Sequence, residues 1–290
     1  MRRMLLLLAA AVALATASAG CSPVAPAPAD TADGLPEGIE VGLFQLRSDV
    51  AERGAQVRVT NGSDEDLTVT RLTFQDDWFA GEAVRDRTST IPAGRTVDLR
   101  FALPESACED EPDAADRTTE VTLEFSVGDA SGTSTVAVSD PLGFTTLIHE
   151  KECLRHDLAQ VAALEWTGFT KSTPPLPAEL RLSITPAGGS GDAELVEVQT
   201  TNLLQFTDQP TAFPLGLSVS RADAASEMSV PLLPLRCDPH AVMEDKRGTV
   251  FDVGVEIDGA AGVVEIAASE AMRGEILRWV ADWCGFGPGG

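Results

Sequence analysis

Two pairs of cysteines stand in almost the same surroundings, about 130 residues apart. Cys108 follows an apolar run that ends in Leu-Pro and precedes an acidic loop, and Cys237 occupies the same place in the second half. An alternating hairpin pattern comes next in both halves, and then a second cysteine, Cys153 or Cys284. A long repeat with a matched cysteine pair predicts two copies of one domain.

The repeat favours disulfides within each copy, Cys108 with Cys153 and Cys237 with Cys284, among the three connectivities that four cysteines allow. Each bridge would close a loop of about 46 residues and stabilise its domain by roughly 3–4 kcal/mol, because it restricts the unfolded chain. Two such bridges are typical of a protein that folds in an oxidising compartment.

Short runs of the first copy alternate apolar and polar residues: Val41–Leu46, Val57–Thr60, Leu67–Phe74, Val97–Leu103, Val121–Val127 and Thr135–Val138. Turn residues separate them, which predicts an antiparallel sandwich. The second copy continues the comparison: Gln56–Thr60 aligns with Glu179–Ser183, and Leu67–Phe74 with Leu195–Phe206.

The pattern resembles bacterial immunoglobulin-like modules, although the chain has no tyrosine and therefore lacks their tyrosine corner. The resemblance implies a mainly β fold of two tandem antiparallel β-sandwich domains, at 38–155 and 156–290. A C-terminal helix is expected on the second domain. Ser269 would cap it, and Met272, Ile276, Trp279, Val280 and Trp283 form its apolar stripe. A weaker counterpart is expected before Cys153, through Leu147 and Ile148.

The N-terminus has Arg2 and Arg3, an apolar stretch too short to span a membrane, and Ala19-Gly20-Cys21. It resembles a bacterial lipobox, which implies a signal peptide at 1–20 and a diacylglyceryl group on Cys21. Ordinary cleavage after Ala19 is the alternative. A Pro/Ala-rich tether at 21–37 would hold the domains off the bilayer. Arginine outnumbers lysine by eighteen to three, which is typical of GC-rich actinobacterial genomes.

The chain carries a net charge of −24, or −26 without Arg2 and Arg3. Such a surface repels phosphate backbones, so nucleic-acid binding is excluded. The expected partners are the lipid bilayer, through acylated Cys21, and an envelope protein.

A possible zinc site is His149-x3-Cys153-x2-His156. We prefer to interpret these as surface histidines beside a disulfide, because the repeat gives Cys153 a partner. The loop after Cys237 is a better candidate for binding, because functional residues concentrate on loops. It combines acids, bases and a histidine: Arg236, Asp238, His240, Glu244, Asp245, Lys246 and Arg247.

The acidic clusters 64–66 and 109–113 match no calcium loop and are expected to be solvated turns. Trp78 and Trp166 lie outside the helical stripe and could be exposed, but core packing is expected for them too. No nucleophile–base motif, redox pair or phosphate loop is present, and no cofactor is expected. The sequence therefore predicts a non-enzymatic extracytoplasmic lipoprotein with a binding or structural role. The alternative function is metal handling by His149, His156 and His240.

Overall fold

The computed structural model describes residues 34–109, 112–128, 130–189, 191–209, 211–220 and 222–287. The expected leader, Cys21 and most of the tether lie outside the described residues, as do Asp110 and Glu111 of one acidic cluster. No helix in these ranges is long and apolar enough to cross a membrane.

The first domain is a sandwich of two antiparallel sheets. Its strands are β1 (Ile39–Phe44), β2 (Gly54–Asn61), β3 (Leu67–Asp76), β4 (Ala83–Arg85), β5 (Ser89–Ile91), β6 (Arg95–Ala102), β7 (Thr119–Val127) and β8 (Ala130–Ala137). One sheet has the order β1-β2-β6 and the other β4-β3-β7-β8, with β5 also paired to β3. A short 3-10 helix, Val50–Glu52, lies between β1 and β2.

The second domain repeats this arrangement. Its strands are β9 (Ala162–Thr170), β10 (Ala178–Pro186), β11 (Asp192–Gln199), β12 (Leu204–Phe206), β13 (Ala212–Ser220), β14 (Ser226–Pro234), β15 (Val250–Ile257) and β16 (Ala260–Ala267). One sheet has the order β12-β14-β10-β9 and the other β13-β11-β15-β16. In both copies the first long strand pairs with the second, as β1 with β2 and β9 with β10. The third strand pairs with the penultimate one, as β3 with β7 and β11 with β15.

A β-bulge at the same place in both domains supports the duplication. The register shifts in β3 between Val69 and Arg71, and in β11 between Leu195 and Glu197. A bulge adds one residue to a strand, so the alternation of buried and exposed side chains shifts by one position after it. The bulges place Val69 at the position of Leu195 and so align β3 with β11, which corrects the expected match of Leu67–Phe74 to Leu195–Phe206. The expected match wrongly included β12, which belongs to the other sheet.

Each sandwich is followed by a helix that a disulfide joins to it. The helices are α1 (Phe144–Val161) and α3 (Glu270–Trp283). A bridge joins Cys108 to Cys153 in the first copy and Cys237 to Cys284 in the second, with Cα atoms 5.1 and 5.2 Å apart. The pairing expected from the repeat is confirmed.

The C-terminal helix agrees with the sequence prediction. The Ser269 hydroxyl accepts a hydrogen bond from the Met272 amide at 3.2 Å and so caps the first turn. Ile276, Trp279 and Val280 are buried against the second core, and Trp283 is half-buried at the end of the same stripe.

Helix α1 is longer than the expected short counterpart, since it begins before Leu147 and continues eight residues beyond Cys153. The 155/156 boundary drawn from the sequence falls inside it. Phe144 and Ile148 pack against the first core, whereas Leu158 and Val161 belong to the second. Strand β9 follows without a linker. The two domains therefore share one continuous helix.

Candidate functional site

A cleft of about 450 Å³ lies between the two domains beside the middle of α1. We call it the interdomain cleft. It is lined by Val50, Ala51 and Arg53 of the first domain, Ile148, Lys151, Glu152 and Arg155 of α1, and Arg247, Val263, Val264 and Glu265 of the second domain. Since these residues come from both domains and from the helix, the cleft exists only when both domains are docked on α1.

The first-domain wall is a tight loop that carries Val50 and Arg53. Asp49 fixes this loop: its carboxylate accepts hydrogen bonds from the Leu46 amide at 3.1 Å and from the Gln56 side chain at 2.7 Å. Burial raises the pKa of Asp49, but these hydrogen bonds and Arg100 outweigh it, so the net shift is downward. Asp49 is therefore ionised at neutral pH.

Arg53 adopts a left-handed backbone conformation, with φ 50° and ψ 35°, which is uncommon for a residue with a side chain. Its guanidinium forms an ion pair with Glu152 of α1 and donates a hydrogen bond to the Pro104 carbonyl. Glu152 also accepts hydrogen bonds from Ser106, at 2.7 Å from the hydroxyl and 3.2 Å from the amide. The contacts of Glu152 fasten α1 to the first domain.

The second-domain wall is joined to α1 through one carboxylate. Glu265 on β16 accepts from Lys151 at 2.8 Å and pairs with Arg247 at 3.0 Å. Burial raises the pKa of Glu265, but the hydrogen bonds and the charges of Lys151 and Arg247 lower it by more, so the net shift is downward. The side chains of Lys151 and Arg247 are each 61% exposed, so these pairs face the solvent of the cleft.

Arg155 lies one turn beyond Lys151 on α1 and is exposed. Its side chain makes no ion pair or hydrogen bond with any other residue that the structure describes. Burial is the main cause that lowers the pKa of the Arg53 guanidinium, Glu105 opposes this shift, and Arg155 is close enough to lower the pKa as well. The cleft thus contains four cations and two carboxylates, a local excess of two positive charges in a chain of net charge −24.

The residues of the loop that was expected to bind a partner have different surroundings in the structure, and they do not form one surface. Only Arg247 lines the interdomain cleft. Asp238 caps the short helix α2 (Pro239–Met243) by accepting from the His240 amide at 3.0 Å. Asp245 is buried and accepts from the Gly248 amide at 2.7 Å, and its own carbonyl accepts from Arg273.

The other side chains of that loop are exposed: Arg236, His240, Glu244 and Lys246. None of them lines the cleft. Sequence reasoning found Arg247 but missed Arg53, Lys151 and Arg155. The spacing of Lys151 and Arg155, four residues apart on a helix, was the one available signal, since it places both on the same face.

His149 is not at the surface, and the expectation of surface histidines is wrong for this residue. Only 4% of it is exposed. Its ring stacks on Trp78 with centroids 4.6 Å apart, and its Nε2 lies 3.2 Å from the Ala107 carbonyl oxygen. This burial has no local sequence signal, because the residues of the first core that cover His149 come from a distant segment.

His156 is half-buried, with its Nε2 3.8 Å from a Glu109 oxygen. Cys153 is committed to a disulfide. Among the described ranges, no group of three or more His, Cys, Asp or Glu side chains is arranged to hold a metal ion. Nothing in the placement of His149, His156 and His240 favours the metal-handling alternative.

A buried ion pair that the sequence did not reveal fixes the start of α1. The carboxylate of Asp76 is fully buried, and Arg117 donates to it from Nη2 at 2.6 Å and from Nε at 3.0 Å. Arg117 also donates to the Thr145 hydroxyl at 2.8 Å and lies 4.0 Å over the ring of Trp78. Trp78 and Trp166 are both buried, as core packing requires.

No known protein family matches the sequence, and no curated protein matches it either. Among solved structures, red sea bream transglutaminase is similar at 10% identity and a TM-score of 0.23, over 81% of this chain and 32% of that one. The chain thus spans about a third of the transglutaminase. The CsuC–CsuE chaperone–tip adhesion subunit complex of Acinetobacter baumannii is 12% identical, with a TM-score of 0.21 and coverage of 75% and 93%. The YadV chaperone is 12% identical, with a TM-score of 0.19 and coverage of 74% and 91%.

Proposed function

We propose that the protein is an extracytoplasmic lipoprotein, anchored through Cys21, that acts as a non-enzymatic binding module and receives its partner in the interdomain cleft. The observation that carries the proposal is the continuous helix α1, which belongs to both cores and positions charged side chains from both domains around one cavity. Two disulfides and ion pairs on each side of α1 support a cleft that is formed before any partner arrives.

The position of the chain's start supports presentation of this cleft away from a membrane. The tether would join the first domain just before Ile39, whose partner in β2 is Asn61. The loop with Val50 and Arg53 lies beyond the other end of the same two strands. Six residues of β1 separate these ends, which is about 20 Å at the usual rise of a strand.

The non-enzymatic part of the proposal rests on the sequence, which has no recognisable nucleophile–base motif. The exclusion of nucleic acid rests on the net charge of −24, against which a cleft with two excess positive charges is a small local exception. The partner that we propose is a protein of the cell envelope.

The anchor is tested by replacing Cys21 with alanine. We expect the native protein to carry a fatty acyl adduct in intact-mass analysis and to sediment with membranes, because two or more acyl chains give stable anchoring. The Cys21→Ala variant should lack the adduct and leave the membrane fraction. A native protein without an acyl adduct would contradict the proposal.

The location of the binding surface is tested by photocrosslinking in intact envelopes. Val50 is 60% exposed at the rim of the cleft, and its replacement by p-benzoylphenylalanine should give a discrete crosslinked species. Leu176, 64% exposed on the β9–β10 loop at the end of the second domain remote from α1, provides a matched control that should not. Equal crosslinking from both positions would remove the cleft from consideration.

A further inference from the structure

The interdomain cleft has cationic groups that its own carboxylates do not neutralise. Glu152 is committed to Arg53 and to Ser106, and Glu265 is shared between Lys151 and Arg247. One carboxylate shared by two cations leaves one unit of positive charge uncompensated. Arg155, which has no partner among the described residues, supplies the second.

These cations can be reached by a ligand at little cost to the protein. Ion pairs between exposed side chains contribute only about 0–1 kcal/mol, so Lys151 and Arg247 lose little if an incoming carboxylate displaces part of their contact with Glu265. Arg155 loses nothing, because its side chain has no ion pair to break within the part of the chain that the structure describes. An arginine fork also matches a carboxylate with two parallel hydrogen bonds.

Apolar side chains lie next to the cations. Val50 is exposed on one wall, and the partly buried Ile148 and Val263 lie on the others, whereas Val264 is almost fully buried in the second core. A volume of about 450 Å³ accommodates a few amino-acid side chains rather than a whole domain surface. The cleft therefore matches a ligand in which apolar groups alternate with negative charges. A phospholipid headgroup fits less well, since the anchored end of the first domain lies at the far end of β1.

We infer that the interdomain cleft binds an acidic, partly apolar peptide segment of its partner, with a carboxylate of that segment held by Arg155 and its apolar side chains against Val50 and Ile148. The inference rests on the proposed function, since it names the ligand of the same cleft. It predicts recognition by charge and shape together, with Arg155 making the largest charged contribution.

Fluorescence anisotropy with a labelled peptide tests the inference directly. The protein is the mature chain carrying Cys21→Ala, and the probe is a fluorescein-labelled peptide of about six residues in which glutamate alternates with leucine. We expect saturable binding that the Arg155→Glu variant weakens by about tenfold or more. Binding should also weaken as salt rises from about 50 to about 500 mM, since the charges are solvent-accessible.

The control variant is Arg278→Glu, which makes the same charge change at an exposed arginine of α3 that lines a different cavity, with Phe169 and Lys171. It should bind the peptide as the parent protein does. A second probe, with glutamine in place of each glutamate, should not bind measurably.

Absence of saturable binding, equal weakening by Arg155→Glu and Arg278→Glu, or equal binding of the glutamine peptide would overturn the inference. Displacement of the peptide by about 10 mM inorganic phosphate would also overturn it, because the site would then prefer phosphate over carboxylate. If the peptide does not bind but the crosslink at Val50 is still observed, the acidic peptide is rejected as the ligand and the cleft remains the proposed binding surface. Peptide binding without an acyl adduct on the native protein would reject the anchor alone.

Discussion

Replacing Arg117 with methionine is expected to lower the free energy of unfolding of the first domain by about 3–5 kcal/mol. The substitution removes the hydrogen bonds from Arg117 Nε and Nη2 to the buried Asp76 carboxylate and leaves that charge without its cation. It also breaks the link from Arg117 to Thr145 at the start of α1. Chemical denaturation followed by circular dichroism measures the change.

Arg58→Met is the matched control for this experiment. Arg58 also forms a two-pronged pair with an aspartate, Asp98, at 2.8 and 3.0 Å, but its side chain is 52% exposed. Exposed pairs contribute about 0–1 kcal/mol because water and salt screen them. If Arg117→Met costs no more than Arg58→Met, the burial argument for Asp76 is wrong.

The contrast between these two pairs shows what the sequence could and could not reveal. Asp76 and Arg117 are 41 residues apart, and neither position differs in its local pattern from an ordinary surface charge. The pair differs from an exposed ion pair only because it is buried at the end of the sandwich. Long-range burial of a charge leaves no local signal, so this contact was missed.

Strands such as β1 and β3, and the helix α3, were predictable because each has one buried face along most of its length. Helix α1 has no single face of this kind. Thr145 and His149 are buried towards the first domain, whereas Leu158 and Val161 are buried towards the second, and the two sets do not continue one helical stripe. A helix that changes its buried face between two domains gives only a weak periodic signal. Its length and bridging role were therefore missed.

The candidate site was only partly predictable for a related reason. Arg247 lies in a loop with an unusual concentration of charges and could be selected from composition. Arg53 lies about a hundred residues from its partner Glu152, and its role depends on a left-handed turn that the sequence does not announce. The interdomain cleft depends on the docking of both domains, which local patterns do not specify.

Replacing Trp279 with alanine is expected to destabilise the second domain by about 3–5 kcal/mol, because a large buried side chain is lost and a cavity remains. Only 2% of Trp279 is exposed. Its ring meets Phe169 edge-on at 5.5 Å, and its indole nitrogen donates to the Ser172 carbonyl at 3.1 Å. The measurement is denaturation followed by circular dichroism, with the Cys237–Cys284 bridge kept oxidised so that the unfolded chain is equally restricted.

The same helix provides the control, since Trp283→Ala removes an equal side chain from a half-buried position at the end of the stripe. Its cost should be clearly smaller, because fewer contacts are lost and water fills the space. A third variant, Trp279→Phe, keeps most of the apolar volume but loses the hydrogen bond to Ser172. Its cost in unfolding free energy should lie between those of Trp279→Ala and Trp283→Ala. An equal cost for Trp279→Ala and Trp283→Ala would mean that the bridge, rather than the buried stripe, holds α3 on the sandwich.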